Sequence, residues 1–395
     1  MKKHFLINFL FFCSFITVNS QSKIIDTLID VGNHKLHFRI VKGTGTPILF
    51  DSGGGDNASV WNSILEPLST ITNAPLITYD RAGLGASTVD TLQTDDTKHG
   101  IISSVEDLEI GLKKLGYSKE IILVSHSYGG YLSTLYASRH PKLVKGIVLI
   151  DVNHNFFEDG VIEKEQIKHE KMIPKWKKNN KGTYYMAVNI FETVKIMSKI
   201  TIPQNIPVVD FVNEIPFLKE PEEIERWKEC HRKFVANNPN VTGITAHDCG
   251  HGIWVGNPPL VISTIAKLYA NSSKQKAEIL DRALQYAITA CNEEKAKDLA
   301  EDLAFNHSED DLNTWGYELL GKNENQKAAE VFKLNIFLNP ASANAYDSYG
   351  EALLKTDQKE EAIKMYKKSI ELNPENKNGK EVLEKIAKDN SKPLN

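Results

Sequence analysis

Between residues 35 and 269 short aliphatic and β-branched runs alternate with longer stretches whose apolar side chains recur every three or four positions. The runs at 47–51, 75–79, 120–124, 146–150, 207–212 and 241–246 read as core strands. Strands separated by amphipathic helices argue for a mostly parallel sheet covered by helices. The alternation lapses between 151 and 207, where Phe156, Trp176, Tyr184, Tyr185, Phe191 and Met197 fall in a helical pattern too long for a simple crossover. Residues 155–205 are therefore expected to form a cap; a plain helical insertion on the sheet edge is the competing reading. After residue 272 the chain turns to charged helices with little β signal.

This last part repeats itself. Gly316, Ala328, Phe332, Asn339 and Pro340 recur as Gly350, Ala362, Tyr366, Asn373 and Pro374, each 34 residues later by subtraction of the numbers. The spacing resembles the tetratricopeptide repeat, a helix pair with small residues at the crossing. Residues 275–306 and 377–388 are expected as flanking helices, because two repeats alone bury too little surface.

The chemistry concentrates where the strand run Ile121-Ile122-Leu123-Val124 breaks at Ser125-His126-Ser127-Tyr128-Gly129-Gly130. A serine between small residues, after a strand and before a helix, reads as a nucleophile elbow with Ser127 at its tip. The backbone N–H of Tyr128, at the start of the next helix, would face the same point and serve an oxyanion. Upstream, the run at 47–51 opens into Ser52-Gly53-Gly54-Gly55, whose glycines let backbone N–H groups approach a ligand. Gly54 is the expected second oxyanion donor. The loop lacks the Gly-Lys-Ser/Thr ending of a phosphate-binding loop.

Four ordered motifs carry a resemblance over roughly residues 30 to 270. They are Ser52-Gly53-Gly54-Gly55, Tyr79-Asp80-Arg81-Ala82-Gly83-Leu84-Gly85-Ala86-Ser87, the elbow, and Cys249-Gly250-His251-Gly252. Together they resemble the α/β-hydrolase family, which implies a serine hydrolase with a covalent acyl intermediate. The expected organisation is a signal peptide at 1–20, an α/β-hydrolase fold with helical cap at 21–272, and an all-α tetratricopeptide-like repeat domain at 273–395.

A serine hydroxyl needs a base and an orienting carboxylate. The base is assigned to His251, which follows the last candidate strand in the position the resemblance gives to the family's histidine. His247, His126 and His154 receive structural readings: a strand-end role, elbow packing and a hydrogen bond at the cap entrance. Two carboxylates compete to be the acid. Glu214 holds the usual family position, whereas Asp151 follows Val148-Leu149-Ile150, a strand expected to neighbour the elbow strand. Asp151 is preferred.

Charge excludes one class of partner. With 47 basic and 51 acidic residues and a net charge of −4, nothing favours nucleic acid. The basic stretch 164–181 is interrupted by acids and reads as a solvated helix face. Met1-Lys2-Lys3-His4 before an apolar run from 5 to 18 has the order of a secretory signal, with Val18-Asn19-Ser20 at the cleavage site. That run is short for a membrane span, so export to a periplasm or the medium is expected. Cys230 and Cys249 could then form a bridge; unpaired thiols are the other reading. No zinc-type spacing or His-Glu-x-x-His helix occurs.

The sequence thus points to an exported serine hydrolase for a carboxylic ester or related acyl bond, using Ser127, His251 and Asp151 with Gly54 and Tyr128 and requiring no cofactor. An aminopeptidase-like amide hydrolase is the nearest rival. A catalytically idle domain in a repeat-mediated binding protein is the rival of another class. Partners are expected to be a small acyl substrate and a protein or peptide on the repeats.

Overall fold

The computed structural model describes residues 24–154, 170–215, 217–247, 249–290 and 309–390. The expected signal segment 1–20, Phe156 with the start of the cap at 155–169, Cys291 and the end of the flanking helix (291–306) lie outside the described residues.

The sheet has eight strands: β1 (Ile24–Asp30), β2 (Lys35–Val41), β3 (Ile48–Asp51), β4 (Leu76–Asp80), β5 (Ile121–His126), β6 (Val144–Ile150), β7 (Val208–Asn213) and β8 (Val241–Ala246). Their order is β1-β2-β4-β3-β5-β6-β7-β8. The strands β4-β3-β5-β6-β7-β8 are parallel neighbours, and β1 and β2 add an antiparallel edge. All six expected core strands are present within about a residue or two at their ends. The hairpin β1–β2 is the addition. Its β2 buries Leu36, Phe38 and Ile40 while Lys35 stays exposed, the period-2 pattern of a strand covered on one face.

Helices α1 (Asn62–Thr72), α2 (Ile101–Lys114) and α3 (Gly129–Arg139) cover the sheet. Three short helices, α4 (Ile173–Asn179), α5 (Lys181–Val188) and α6 (Ile190–Met197), make up most of the described cap region. Then α7 (Pro221–Asn237) links β7 to β8, and α8 (Ile253–Gly256) and α9 (Pro258–Ala270) follow β8. Alternate strand residues feed two apolar layers. Leu49, Ile77 and Leu123 pack with α2, α3 and with Ile190 and Met197 of α6. Ile48, Phe50, Ile122 and Val124 pack with α1 and α9. Two prolines open α9, where their missing N–H groups cost nothing, and the Asn257 side chain accepts from Leu260 N at 3.2 Å.

The next helix, α10 (Lys276–Ala290), buries Ile279 and Ala283 in that second layer, and Arg282 Nε donates to Ile71 O at 2.7 Å. The first helix beyond residue 272 therefore packs on the sheet-bearing unit.

Among the described residues five helices follow: α11 (Glu309–Gly321), α12 (Asn325–Leu338), α13 (Ala343–Lys355), α14 (Lys359–Leu372) and α15 (Lys377–Asn390). The repeated glycines sit at crossings. A Cβ on Gly316 would run into the Phe332 ring, and one on Gly350 would come within 2.9 Å of Tyr366. The turns repeat as well: Asn323 and Asp357 take φ of 59° and 60°, followed by Glu324 N→Leu319 O and Gln358 N→Leu353 O. Among the described residues no helix is long and apolar enough to cross a membrane.

Candidate active site

Strand β5 is fully buried, and Ser127, which follows it, has a φ of 51° in the left-handed region. For a residue with a Cβ this costs roughly 1–2 kcal/mol, and the turn is held by Ser127 N→Ile150 O at 3.2 Å and Gly130 N→Ser127 O at 3.0 Å. The elbow's glycines are sterically required. A Cβ on Gly129 would meet the carbonyl oxygens of Asp51 and Ser52 at 2.8 Å, and one on Gly130 would meet Val152 at 2.6 Å. Ser127 Oγ donates to Asn153 Oδ1 over a long 3.4 Å. Among the described residues it makes no hydrogen bond to His251.

The two candidate acids part company. Asp151, with no exposed surface and a φ of 49°, accepts from His251 Nδ1 at 2.5 Å on one oxygen. Its other oxygen accepts from Trp227 Nε1 at 2.8 Å and Asn213 N at 3.3 Å. Glu214 instead lies 3.5 Å from His247 Nδ1 in a half-exposed pair. The His251 ring lies against Phe217 and His126, each centroid 4.3 Å away and the planes tilted by 43° and 57°. His126, the residue before Ser127, donates Nε2–H to the His251 carbonyl at 3.1 Å. Burial and the nearby His251 hold His126 well below the usual imidazole range, so it stays neutral.

The glycine loop is fastened by a side chain to which sequence reading gave no role. Arg81, buried, donates to Asp51 Oδ1 at 2.5 Å, to Ser52 O at 2.6 Å and to Gly53 O. Tyr79 OH donates to the other Asp51 oxygen at 2.7 Å. Burial pushes the Asp51 carboxyl up, and Arg81 opposes that. The guanidinium also sits 5.5 Å from the centroid of the Tyr128 ring. Helix α5 closes over the loop: a Cβ on Gly54 would strike Met186 Sδ at 2.6 Å, and one on Gly55, at φ 80°, would meet Thr183 Oγ1 at 2.9 Å. Beside the loop a cavity of 220 Å³ is lined by Gly55, Tyr128, Met186, Asp90 and the His34–Asp107 pair. The described part of the expected cap thus lies over the loop that holds Gly54.

Behind Asp151 lies a cluster that sequence reading missed. His154 Nε2 and His231 Nδ1 hydrogen-bond the two oxygens of Asp210 at 2.9 and 2.7 Å. These residue types could suit a metal ion, but at such separations each nitrogen already shares a proton with a carboxylate oxygen. His154 Nε2 spends its hydrogen bond on Asp210 of β7, with a backbone φ of 33°; the expected start of the cap that follows it, 155–169, lies outside the described residues. A faint signal existed: Trp227 and His231, four apart on the otherwise charged α7, are its buried residues. Cys230 and Cys249 are not joined by a disulfide.

Residues 46–168 match the alpha/beta hydrolase fold family. Over 116 residues the chain is 30% identical to "Uncharacterized protein YqjL" of Bacillus subtilis (strain 168), covering 29% of this chain and 43% of that protein. Over 108 residues it is 31% identical to the "(Lyso)-N-acylphosphatidylethanolamine lipase" of Bos taurus, covering 27% and 30%. Over 131 residues it is 29% identical to the "Proline iminopeptidase" of Lactobacillus delbrueckii subsp. lactis, covering 32% and 44%. The matched stretch spans less than half the length of each relative. The chain carries an alpha/beta hydrolase fold and has hydrolases among its relatives.

Proposed function

We propose that the chain is an exported serine hydrolase that cleaves a carboxylic ester or related acyl bond through Ser127, His251 and Asp151. The observation that carries this reading is the 2.5 Å hydrogen bond from His251 Nδ1 to the buried Asp151, beside a serine held at φ 51°. With Nδ1 committed, Nε2 is the nitrogen left to take a proton. For the attack Ser127 Oγ must leave Asn153 Oδ1 and give its proton to that nitrogen. Attack on the acyl carbon gives a tetrahedral oxyanion, for which the N–H groups of Gly54 and Tyr128 are the donors. Arg81 supports this indirectly. It anchors the Gly53 carbonyl, and in a trans peptide the Gly54 N–H must point the opposite way. His251 then protonates the leaving group, and water repeats the sequence to free the acid. No metal or organic cofactor enters these steps.

Export rests on the charged-then-apolar order of residues 1–18. The helix pairs α11–α12 and α13–α14, with glycine crossings 34 residues apart, support a tetratricopeptide-like array that offers a surface to a protein or peptide. Two observations favour an aminoacyl amide as the second substrate reading: the proline iminopeptidase relative, and the Asp90 and Asp107 carboxylates beside the loop, which would suit an ammonium group. A panel of p-nitrophenyl esters and aminoacyl anilides tests both. Turnover of esters by the full chain and its loss in Ser127→Ala are expected. Turnover of anilides alone would select the amide reading, and turnover retained by the folded variant would reject Ser127 as nucleophile.

A further inference from the structure

Two carboxylates, Asp151 and Asp210, lie behind His251 with 0% and 1% of their surface exposed. Strands β6 and β7 are neighbours with Leu149 opposite Asp210, and Asp151 N donates to Phe211 O at 2.8 Å, so the two acids lie close together. Two anions out of water repel one another and lose hydration unless a cation lies between them. His231 occupies that place. Its Nδ1 is 2.7 Å from Asp210, and its Nε2 is 3.8 Å from the Asp151 oxygen that also accepts from Trp227. The longer separation exceeds a hydrogen bond, so what reaches Asp151 is charge. Helix α7 delivers Trp227, His231 and Phe234 at i, i+4 and i+7 on one face. The last stacks on His154 at 4.1 Å.

We propose that His231 is a positioning residue of the active site: an imidazolium held between Asp210 and Asp151 that offsets part of the Asp151 charge felt by His251 and so sets the acid limb of the reaction. The inference rests on the Ser127–His251–Asp151 reading. Burial alone would lower the His231 pKa, but Asp210 and Asp151 outweigh it and raise the value. Burial likewise opposes the charge on Asp210, yet its two histidines hold it at about 2. Burial and the charge on His231 lower His154, which is the neutral member. The groups facing His231 are thus Asp210 from β7 and Asp151 and His154 from the end of β6. Arg226, Glu229 and Lys233 of its own helix line the separate cavity beside His154. Facing His251 are Asp151, His126 and Asp56.

The test is the rate of inactivation of the full chain by a fluorophosphonate as a function of pH, in wild type and His231→Asn. The asparagine amide can still donate to Asp210 but carries no charge. His251 would then feel Asp151 without compensation, and the acid limb should move up by about one pH unit. A uniform loss of rate with the limb unmoved, or a downward shift, would overturn the proposal. Should the variant not fold, nitrogen NMR of the wild-type imidazoles decides: both His231 ring nitrogens protonated at neutral pH is expected, and a neutral ring rejects it. Wild-type protein that never reacts with the reagent would sink the Ser127 reading instead, leaving the NMR result to judge His231.

Discussion

The sheet-bearing unit and the helical tail both contain residues in the left-handed backbone region, yet they use them in opposite ways. In the tail, Asn323 and Asp357 are punctuation, 34 residues apart and followed by the same turn hydrogen bond. In the sheet-bearing unit Asn73 closes α1 in the same manner, but Ser127, Asp151 and His154 converge on the ends of β5 and β6. The ion pairs differ too. Arg81–Asp51 is buried among backbone carbonyls, whereas Lys364–Glu361 and Lys368–Glu371 are exposed i,i+3 pairs on a helix surface. Strain that recurs builds a scaffold, and strain that converges builds a site.

The largest effect that could break this contrast lies at the acid. Asp151→Asn should lower turnover by orders of magnitude, about 10⁴-fold where the geometry survives, because an amide cannot favour the imidazolium. Glu214→Gln should change it by a few-fold at most, since that carboxylate pairs with His247. Steady-state kinetics on both folded variants checks the ranking, and the reverse order would move the acid to Glu214.

Next comes the buried ion pair. Arg81→Met leaves Asp51 buried without its cation and should cost about 3–5 kcal/mol in urea unfolding. Lys364→Ala, which removes a solvent-exposed partner, should leave the transition where it was. Equal effects would erase the distinction between the two regions.

A smaller loss is expected inside the tail. Gly350→Ala puts a methyl group 2.9 Å from Tyr366 and should destabilise the α13–α14 crossing by about 1–3 kcal/mol, read from thermal unfolding. Fluorophosphonate reactivity should not change, and a coupled loss would mean that the repeats support the site.

The subtlest term is protonic. The folded pKa of His126 lies well below its unfolded value near 6.5, so its contribution to stability is full above that pH and is lost as pH falls towards the folded value. Raised values at His34, His37 and His231 act with the opposite sign, fading as pH rises through their folded pKa. Comparing wild type with His126→Asn isolates the first. Their stability difference should shrink by about 1.4 kcal/mol per pH unit below 6.5, and a constant difference would contradict a neutral His126.

Much of this architecture was legible because it is local or periodic. The core strands announce themselves as apolar runs, and the tail by comparison with itself at a spacing of 34. The edge hairpin escaped notice because β1 leaves Ile24, Ile25 and Leu28 exposed, so only Leu36, Phe38 and Ile40 on β2 carried a core signal. The residues bonding Asp151 could be guessed only in part. His251 lies 100 positions away and Trp227 76 away, and nothing in the pattern of α7 joins its indole to a strand end. The link between His154 and Asp210 was hidden for the same reason, as it spans 56 residues across neighbouring strands. The organisation past residue 272 also needed coordinates, since Ile279 and Ala283 show which core α10 joins only once α1 and α9 are in place. A truncation that separates site from tail is therefore better made after Ala290 than near Ser272.

Every proposed catalytic step depends on one serine at the elbow. The decisive experiment is to treat the full chain with a fluorophosphonate at neutral pH and map the adduct by peptide mass spectrometry. One adduct per chain on the peptide containing Ser127, absent from Ser127→Ala, is expected. An unmodified elbow peptide in a chain that still hydrolyses esters, or an adduct on any residue of the tail, would contradict it.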